Sequence, residues 1–310
     1  MICFNKRVKL KKYLHSKMEL KMNNAASKQN GFTLIEILIA MAIVGIVSAA
    51  LFTSFQSQQK SYVIQEGVAA MQQNLRAGME MMTQEIRMAG YDRQKIGGMG
   101  ILDISPRDIA DNIDLTITGN GAIQIAADFN DDGAPNASDI ISFSIADSPT
   151  GTPDGILDLT RDVGAGRRLL GEDIQALGFA FAYDADDDGI LDTSGGNVIW
   201  AVDSDGDNDL DLNLDTNNDG NIDAADETLG TGNGLITGAA LAPNINISDI
   251  RAVRIWMLAR TGNRDNDYLN SHTYVVGHKV ITPSTDAVAD NDNLRMRLLT
   301  TTVKCRNLGL

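Results

Sequence analysis

Few residues in this sequence could form covalent cross-links or thiolate metal sites. Its 310 residues include two cysteines, Cys3 and Cys305, at opposite ends of the chain, and three histidines. A disulfide framework and a Cys/His zinc site are therefore not expected. Motifs of nucleophilic catalysis such as G-x-S-x-G are also missing, and His272 and His278 have no evident Cys or Ser partner. The sequence thus does not predict an enzyme.

Basic residues are in the minority. The chain has 26 Lys and Arg against 41 Asp and Glu, which gives a net charge of −15 at pH 7. Because a surface that binds nucleic acid has to neutralise phosphates, a general nucleic-acid binder is excluded. Hydrophobic residues still make up 43% of the chain, as is typical of sequences that fold around a core.

The charges are distributed unevenly along the chain. Residues 1–31 carry eight basic residues and one acid, whereas residues 184–227 carry fifteen acids and no Lys or Arg. Between them, residues 37–59 form an uncharged run of 23 residues. As a helix, such a run is about 35 Å long and can cross a bilayer core of about 30 Å. The positive-inside rule then keeps the basic segment cytoplasmic and puts the bulk of the chain on the other side.

The apolar run is introduced by the hexapeptide 31–36, which reads Gly-Phe-Thr-Leu-Ile-Glu. A signal peptide cleaved among the small residues 47–50 and a plain membrane anchor are the two alternative interpretations. Neither explains Glu36, since an acid carried toward the bilayer centre costs about 2.5–3.5 kcal/mol and needs a partner. The hexapeptide closely resembles the processing site of type IV prepilins and pseudopilins.

This resemblance implies a role for three residues. Gly31 would be the last leader residue accepted by the prepilin peptidase/N-methyltransferase, and Phe32 would become the N-methylated new N-terminus. Glu36 would neutralise the Phe32 ammonium of a neighbouring subunit, an attraction that is strong at low dielectric. Met18 and Met22 are alternative starts that would shorten the leader.

The resemblance also implies partners and a location. The partners would be other minor and major pilins, the inner-membrane assembly platform and a tip adhesin. The protein would first be a single-pass inner-membrane protein with a cytoplasmic leader and a periplasmic head, and later part of the pilus on the surface of a bacterium.

An amphipathic helix is predicted to follow the apolar run. Its apolar stripe consists of Ile64, Val68, Met71, Leu75, Met79, Met82 and Ile86, spaced by three or four residues. We expect this stripe to pack on a sheet, and Gly90 to end the helix. The predicted domains are therefore a basic leader (1–31), a pilin helix (32–90, membrane-spanning at about 34–55) and a β-rich head (91–310).

After Gly90 the pattern changes to short β-like runs separated by Gly, Asp, Asn and Pro. The predicted strands cover residues 115–117, 123–126, 140–145, 174–183, 198–202, 250–258, 273–281 and 295–304. Since no helical pattern separates these runs, they favour an antiparallel sheet. The predicted fold class is α+β: one long N-terminal helix on an antiparallel β-sheet head, with Asp-rich loop insertions.

Three segments resemble the PilW-type minor pilins of type IV pili. They are Met-Ala-Gly-Tyr at 88–91, the strand at 250–260 and the strand at 295–307. The likeness implies a minor pilin that primes or caps the filament. Two alternatives are a J-type minor pseudopilin of type II secretion and a calcium-dependent adhesive module on a pilin anchor.

Two acidic loops match the twelve-residue calcium loop, in which hard oxygen ligands surround the ion and a glycine at position 6 permits a sharp turn. In the first, the candidate ligands are Asp215, Asn217, Asp219, Asn221 (through its carbonyl), Asp223 and Asp226; in the second they are Asp128, Asn130, Asp132, Ala134 (likewise), Asn136 and Asp139.

The segment 184–195 matches the calcium loop only in part, because its position 12 is Gly195. The acids at 203–211 alternate without a glycine in register. Solvated turns are the alternative for all of these segments. The two complete matches within so many uncompensated acids favour structural calcium, because packing the acids without counterions would be self-repelling.

Overall fold

The computed structural model describes residues 31–95, 97–105, 121–133, 136–147, 156–164, 166–227, 234, 236–283 and 293–309. The leader before Gly31, the predicted strand at 115–117 and Ala134 lie outside these residues. By internal contacts the chain divides into two compact units, Met1–Ser61 and Tyr62–Leu310.

The described part of the first unit is one continuous helical segment. Helix α1 covers Leu34–Met88, and its residues up to Ser61 belong to this unit. All of them are exposed, including the large apolar side chains from Leu34 to Phe55. Among the described residues, α1 is the one helix long and apolar enough to cross a membrane by length and composition.

In the second unit, α1 buries the apolar stripe that the sequence predicts. Met71, Leu75, Met79, Met82 and Ile86 are buried in the main hydrophobic core, and Val68 is partly buried against it. The side chains between these positions remain largely exposed, as the helical spacing requires. The stripe from Val68 to Ile86 therefore packs on the sheets of the head, as predicted, whereas Ile64, its first predicted member, is partly buried outside this core.

A close approach and an ion pair fix the helix on the head. Gly78 lies so near the sheets that a Cβ at this position would be 2.6 Å from Leu159 Cδ2 and 3.5 Å from Met257 Cε. Two turns further along, the Glu85 carboxylate accepts two hydrogen bonds from Arg161 Nε and one from its Nη2, at 2.8–3.0 Å. Planar pairing of this kind fixes direction as well as distance.

The described strands, all short to medium in length, follow the helix. They are β1 (Gly100–Asp103), β2 (Ile123–Ala126), β3 (Ile140–Asp147), β4 (Leu157–Asp162), β5 (Arg167–Gly171), β6 (Ile174–Tyr183), β7 (Thr193–Ser194), β8 (Asn197–Val198), β9 (Ala201–Val202), β10 (Asp209–Asn213), β11 (Ala239–Asn246), β12 (Ile250–Arg260), β13 (Tyr274–Val276), β14 (Lys279–Ile281) and β15 (Met296–Lys304).

These strands form two larger antiparallel sheets. One is a meander in the order β1-β2-β3-β4-β5, and the other has the order β11-β10-β9-β6-β12-β15. Strand β12 lies between β6 and β15, so that Ile255 is opposite Phe179 on one side and Thr301 on the other. Two small hairpins, β7-β8 and β13-β14, complete the described sheets. The α+β fold class, one long helix on antiparallel sheets, is confirmed.

Two predicted strands differ from the structure. The run at 198–202 is divided between β8 and β9, and the run at 273–281 is the hairpin β13-β14, turned at Gly277 with φ +60°. Strands β1, β4, β5, β7, β10 and β11 are missing from the sequence-based prediction. In β4 and β10 the alternating Asp and Leu residues also suit turns. Leu210 of β10 is buried, while Asp209 and Asp211 on either side are partly exposed.

We expect alanine to have opposite effects at two glycines of α1. Both Gly67→Ala and Gly78→Ala gain helix propensity, about 1 kcal/mol each. At Gly67 the new Cβ meets Thr261 Cγ2 at an ordinary 3.8 Å, whereas at Gly78 it overlaps Leu159, and overpacking costs about 1–3 kcal/mol.

Chemical unfolding of the full chain in detergent, followed by circular dichroism, should therefore show Gly67→Ala more stable than wild type and Gly78→Ala no more stable than wild type. Equal gains in stability for the two variants would contradict the close packing at Gly78.

Candidate functional site

The first candidate site is the segment that leads into α1. The Thr33 N–H donates to Glu36 Oε2 (2.8 Å), the Thr33 hydroxyl donates to the same oxygen (2.9 Å), and the Glu36 N–H donates to Thr33 Oγ1 (3.3 Å). This reciprocal arrangement is a capping box, with Thr33 as N-cap and Glu36 at N3. Glu36 therefore has a second role that our sequence analysis missed, although the Thr-x-x-Glu pattern signals it.

The rest of this segment is open to its surroundings. Phe32 is 84% exposed, and nothing lies within 4 Å of a Cβ built at Gly31. The structure thus presents Gly31, Phe32 and Glu36 within six residues on an accessible surface, ahead of a helix whose apolar side chains are also exposed.

The second candidate site is a set of acidic loops that share one backbone conformation. In each loop, the Asp at position 1 accepts a hydrogen bond from the N–H at position 6. The pairs are Gly133 N to Asp128 Oδ2 (3.2 Å), Gly189 N to Asp184 Oδ2 (2.9 Å), Asn208 N to Asp203 Oδ2 (2.9 Å) and Gly220 N to Asp215 Oδ2 (2.8 Å).

The residues with positive φ repeat in the same way. Positions 4 and 6 of every loop are left-handed: Asp131 and Gly133, Asp187 and Gly189, Gly206 and Asn208, Asn218 and Gly220. The loop at 203 has no glycine at position 6, as the sequence analysis states, yet its backbone follows the same pattern. Asn208 occupies the left-handed position with φ +70°, a conformation that Asn tolerates better than most residues.

Two of the loops bring three carboxylates together. Oxygens of Asp184, Asp186 and Asp188 lie within 4.8 Å of one another, as do those of Asp203, Asp205 and Asp207, and the first Asp of each triad is buried. These two groups could hold a metal ion. They lie in the loops that match the calcium pattern incompletely by sequence, whereas both complete matches have Asn at position 3.

The electrostatics of these triads favour a cation. The negative charge of Asp188, followed by burial, raises the pKa of the Asp186 carboxyl. Burial raises the pKa of Asp203, partly opposed by the N–H groups of Gly206, Asn208 and Asp205. In both loops the ionised form is therefore disfavoured, and a bound cation would reverse that penalty.

The structure brings together only some of the predicted ligands at 215–226. Asp215 Oδ1 and Asn217 Oδ1 both accept from the Asp219 N–H (3.1 and 2.9 Å), and Asp219 Oδ1 accepts from the Asn221 N–H. Asp223 and Asp226 instead form a capping box around the short 3₁₀ helix Ala224–Asp226. Asp226 Oδ1 also accepts from the Thr216 N–H (2.8 Å).

Hydrogen bonds connect several of the predicted ligands at 128–139. Asp132 Oδ2 accepts hydrogen bonds from Asn130 Nδ2 (2.9 Å) and Asn136 Nδ2 (3.2 Å). Asp139 closes the loop through its Oδ2, which accepts from the Asn136 N–H (2.9 Å).

Cys305, the cysteine among the described residues, shows no sign of reactivity. Cys305 is a free, buried thiol. Burial raises its pKa to about 12, opposed by the nearby Arg251. Because the thiolate is the nucleophile, such a thiol is inert in the folded protein.

Comparison with known proteins agrees with the first site. Residues 26–52 match the family model described as "Prokaryotic N-terminal methylation motif", so the N-terminal segment is of the type IV prepilin type. Among solved structures, a type IV-like pilin from Thermus thermophilus is similar, with 14% sequence identity and a TM-score of 0.38, over 77% of this chain and 98% of that chain. No curated protein matches this chain significantly.

The motif implies processing by the prepilin peptidase and association with other pilins, and together with the apolar helix it is consistent with anchoring in the inner membrane.

Proposed function

We propose that this protein is a minor pilin of a type IV pilus, which is cleaved by the prepilin peptidase and assembled through α1 to prime or cap the filament. The observation that carries the proposal is the match of residues 26–52 to the methylation motif, at the start of a helix with exposed apolar side chains. The proposal includes three domains: leader 1–31, helix 32–90 and head 91–310.

Cleavage after Gly31 would release the Phe32 amine next to the helix N-cap. The capping box at Thr33 engages Glu36 Oε2 and holds the carboxylate at the first turn of α1. Glu36 Oε1 is then available for the N-methylated Phe32 ammonium of a neighbouring pilin. In the membrane this ion pair favours one register between subunits, because other registers leave both charges unpaired at low dielectric.

The apolar side chains between Leu34 and Phe55 would face lipid before assembly and other pilin helices afterwards. Pairing with minor and major pilins, extraction by the inner-membrane platform and contact with a tip adhesin complete the proposed cycle. The head, with its acidic loops, would then lie near the tip of the filament, on the surface of the cell.

We also propose that the ion bound by the acidic loops is calcium, in a structural role. The candidate side-chain ligands at 128–139 and 215–226 are all Asp or Asn, and Ca²⁺ prefers hard oxygen donors. The left-handed residue at position 6 of each loop supports the proposal, because a calcium loop needs a sharp turn there.

Replacement of Gly31 should block processing. Gly31→Leu places a bulky side chain at the proposed cleavage site, so we expect unprocessed precursor, while Gly45→Leu, a control on the exposed helix with open space around it, should be cleaved normally. Mass spectrometry of the membrane fraction distinguishes the two, and a mature protein beginning at Phe32 in Gly31→Leu would refute the cleavage assignment.

Glu36→Gln should separate the charge of this residue from its capping role. Gln retains the hydrogen bonds to Thr33 but leaves the neighbouring ammonium unpaired. Breaking a buried ion pair costs about 3–5 kcal/mol, so incorporation into pili should fall by more than about tenfold. The measurement is the ratio of protein in sheared pili to protein in membranes.

Thr33→Val is the matched control for this experiment. It removes the cap and keeps the charge, so its incorporation should stay near the wild-type level. Wild-type incorporation of Glu36→Gln would show that the charge plays no part in assembly.

The number of calcium ions bound by the chain tests the proposed site at 215–226. In the processed chain in detergent, calorimetric titration of Asp215→Asn should show one ion fewer than wild type, because Asp215 is the buried position-1 ligand. Glu66→Gln, at an exposed site on α1, should bind as many ions as wild type. Equal stoichiometry in all three proteins would remove calcium from this loop.

A further inference from the structure

The five-stranded sheet carries a row of polar side chains on one face. The row takes one residue from each of the strands β1 to β5: Asp103, Gln124, Ser142, Asp162 and Arg167. Each of these residues is the register partner of the next. Because directly opposite residues of an antiparallel pair point to the same face, the row crosses the whole sheet, at about 5 Å per strand.

The other face of this sheet belongs to the hydrophobic core. Ile123 and Phe143, each next to a member of the row, are 1% and 0% exposed. Arg161, which precedes Asp162, is bound to Glu85 of α1. The alternation of strand side chains therefore places the polar row on the face turned away from α1.

A cavity of about 310 Å³ lies over the polar row, and all five of its members line it. None of them is fully exposed. At the rim, Gly164 approaches Ala137 so closely that a Cβ would be 3.1 Å from the Ala137 carbonyl oxygen. The volume is at the lower end of the range of small-molecule sites, about 300–1,000 Å³.

Hydrogen bonds within the sheet fix the centre of the row. Gln124 Nε2 donates to Ser142 Oγ (3.0 Å), and Asp162 Oδ1 accepts from the Gly164 N–H (2.8 Å). The Ser142 hydroxyl keeps its own proton to donate. Gln124 Oε1 and Asp162 Oδ2 accept no hydrogen bond from any residue that the structure describes. A donor therefore lies between two acceptors at the centre of the row.

This lining selects among classes of ligand. An apolar ligand would leave the polar groups of the cavity unpaired, which costs free energy. An anion is disfavoured, because the row has two carboxylates against one guanidinium and the whole chain has a net charge of −15. Neutral hydroxyl groups suit the alternating acceptors and donor, since each hydroxyl can both donate and accept.

We propose that the cavity over β1–β5 binds a neutral sugar residue. Gln124 Oε1 and Asp162 Oδ2 accept hydrogen bonds from its hydroxyls, while Ser142 Oγ and the Arg167 guanidinium donate to them. Asp103 bounds the site at the far end of the row. This inference goes beyond the proposed function and depends neither on calcium nor on cleavage and assembly.

Saturation-transfer NMR on the full chain tests the proposal, in a detergent without a sugar headgroup. The probes are the methyl glycosides of glucose, galactose, mannose and N-acetylglucosamine, of which at least one should bind wild type. Ser142→Ala should weaken that binding about fivefold to tenfold, because it removes the donor between the two acceptors.

Two adjacent arginines of β5 provide a matched pair of variants. Arg167 lines the cavity, whereas Arg168 lies on the other face, opposite Arg161. Both substitutions remove one positive charge, so Arg167→Ala should weaken sugar binding and Arg168→Ala should leave it at the wild-type level. Circular dichroism checks that the variants are folded, and the arginine pair decides the question if Ser142→Ala is not.

The inference is wrong if no glycoside of the panel binds wild type. It is also wrong if Ser142→Ala and Arg167→Ala bind as well as wild type, because the sugar would then occupy another part of the chain. Tighter binding of spermidine or sodium glucuronate than of any neutral glycoside, lost in the same variants, would assign the cavity to a charged ligand instead. None of these results bears on cleavage after Gly31 or on calcium.

Discussion

A carboxylate that is removed from water has to find a positive partner, and this constraint connects the two ends of the molecule. At the N-terminus Glu36 lies at the start of a helix with exposed apolar side chains. In the head, Asp128, Asp139, Asp184, Asp203, Asp215 and Asp226 are buried although acids outnumber basic residues. Neighbouring N–H groups satisfy part of this charge, and in our proposal another subunit or a bound ion supplies the rest.

A close backbone approach and an ion pair hold helix α1 on the sheets of the head. The missing side chain at Gly78 lets α1 approach β4 and β12 closely, while Arg161 and Glu85 form a bidentate pair beside it. The apolar stripe provides most of the buried area between helix and sheets, but area alone permits sliding. Together, the close contact at Gly78 and the planar ion pair of Glu85 restrict α1 to one position along its own axis and one rotation about that axis.

The sequence predicts the elements whose pattern is strong and local. The hexapeptide 31–36, the apolar run and the stripe from Val68 to Ile86 each depend on neighbours in the chain. In the structure the run is an exposed part of α1 and the stripe is buried. Strands β4 and β10 escape prediction because Asp suits both a turn and the exposed face of a strand. The loop at 203 does not match the calcium-loop pattern by sequence, because that pattern requires glycine at position 6. Asn208 occupies this position and takes the left-handed backbone conformation expected of glycine. The polar row across β1–β5 depends on the register between strands, which no spacing rule encodes.

The end of α1 is also held by residues from far along the chain. Asn307 Nδ2 donates to the Met88 carbonyl across 219 positions, and the Leu308 side chain lies against Gly90. Contacts of such high sequence separation form late, because the intervening chain has to be ordered first. During folding, the end of α1 is therefore covered only after β15 and the residues that follow it have taken their places.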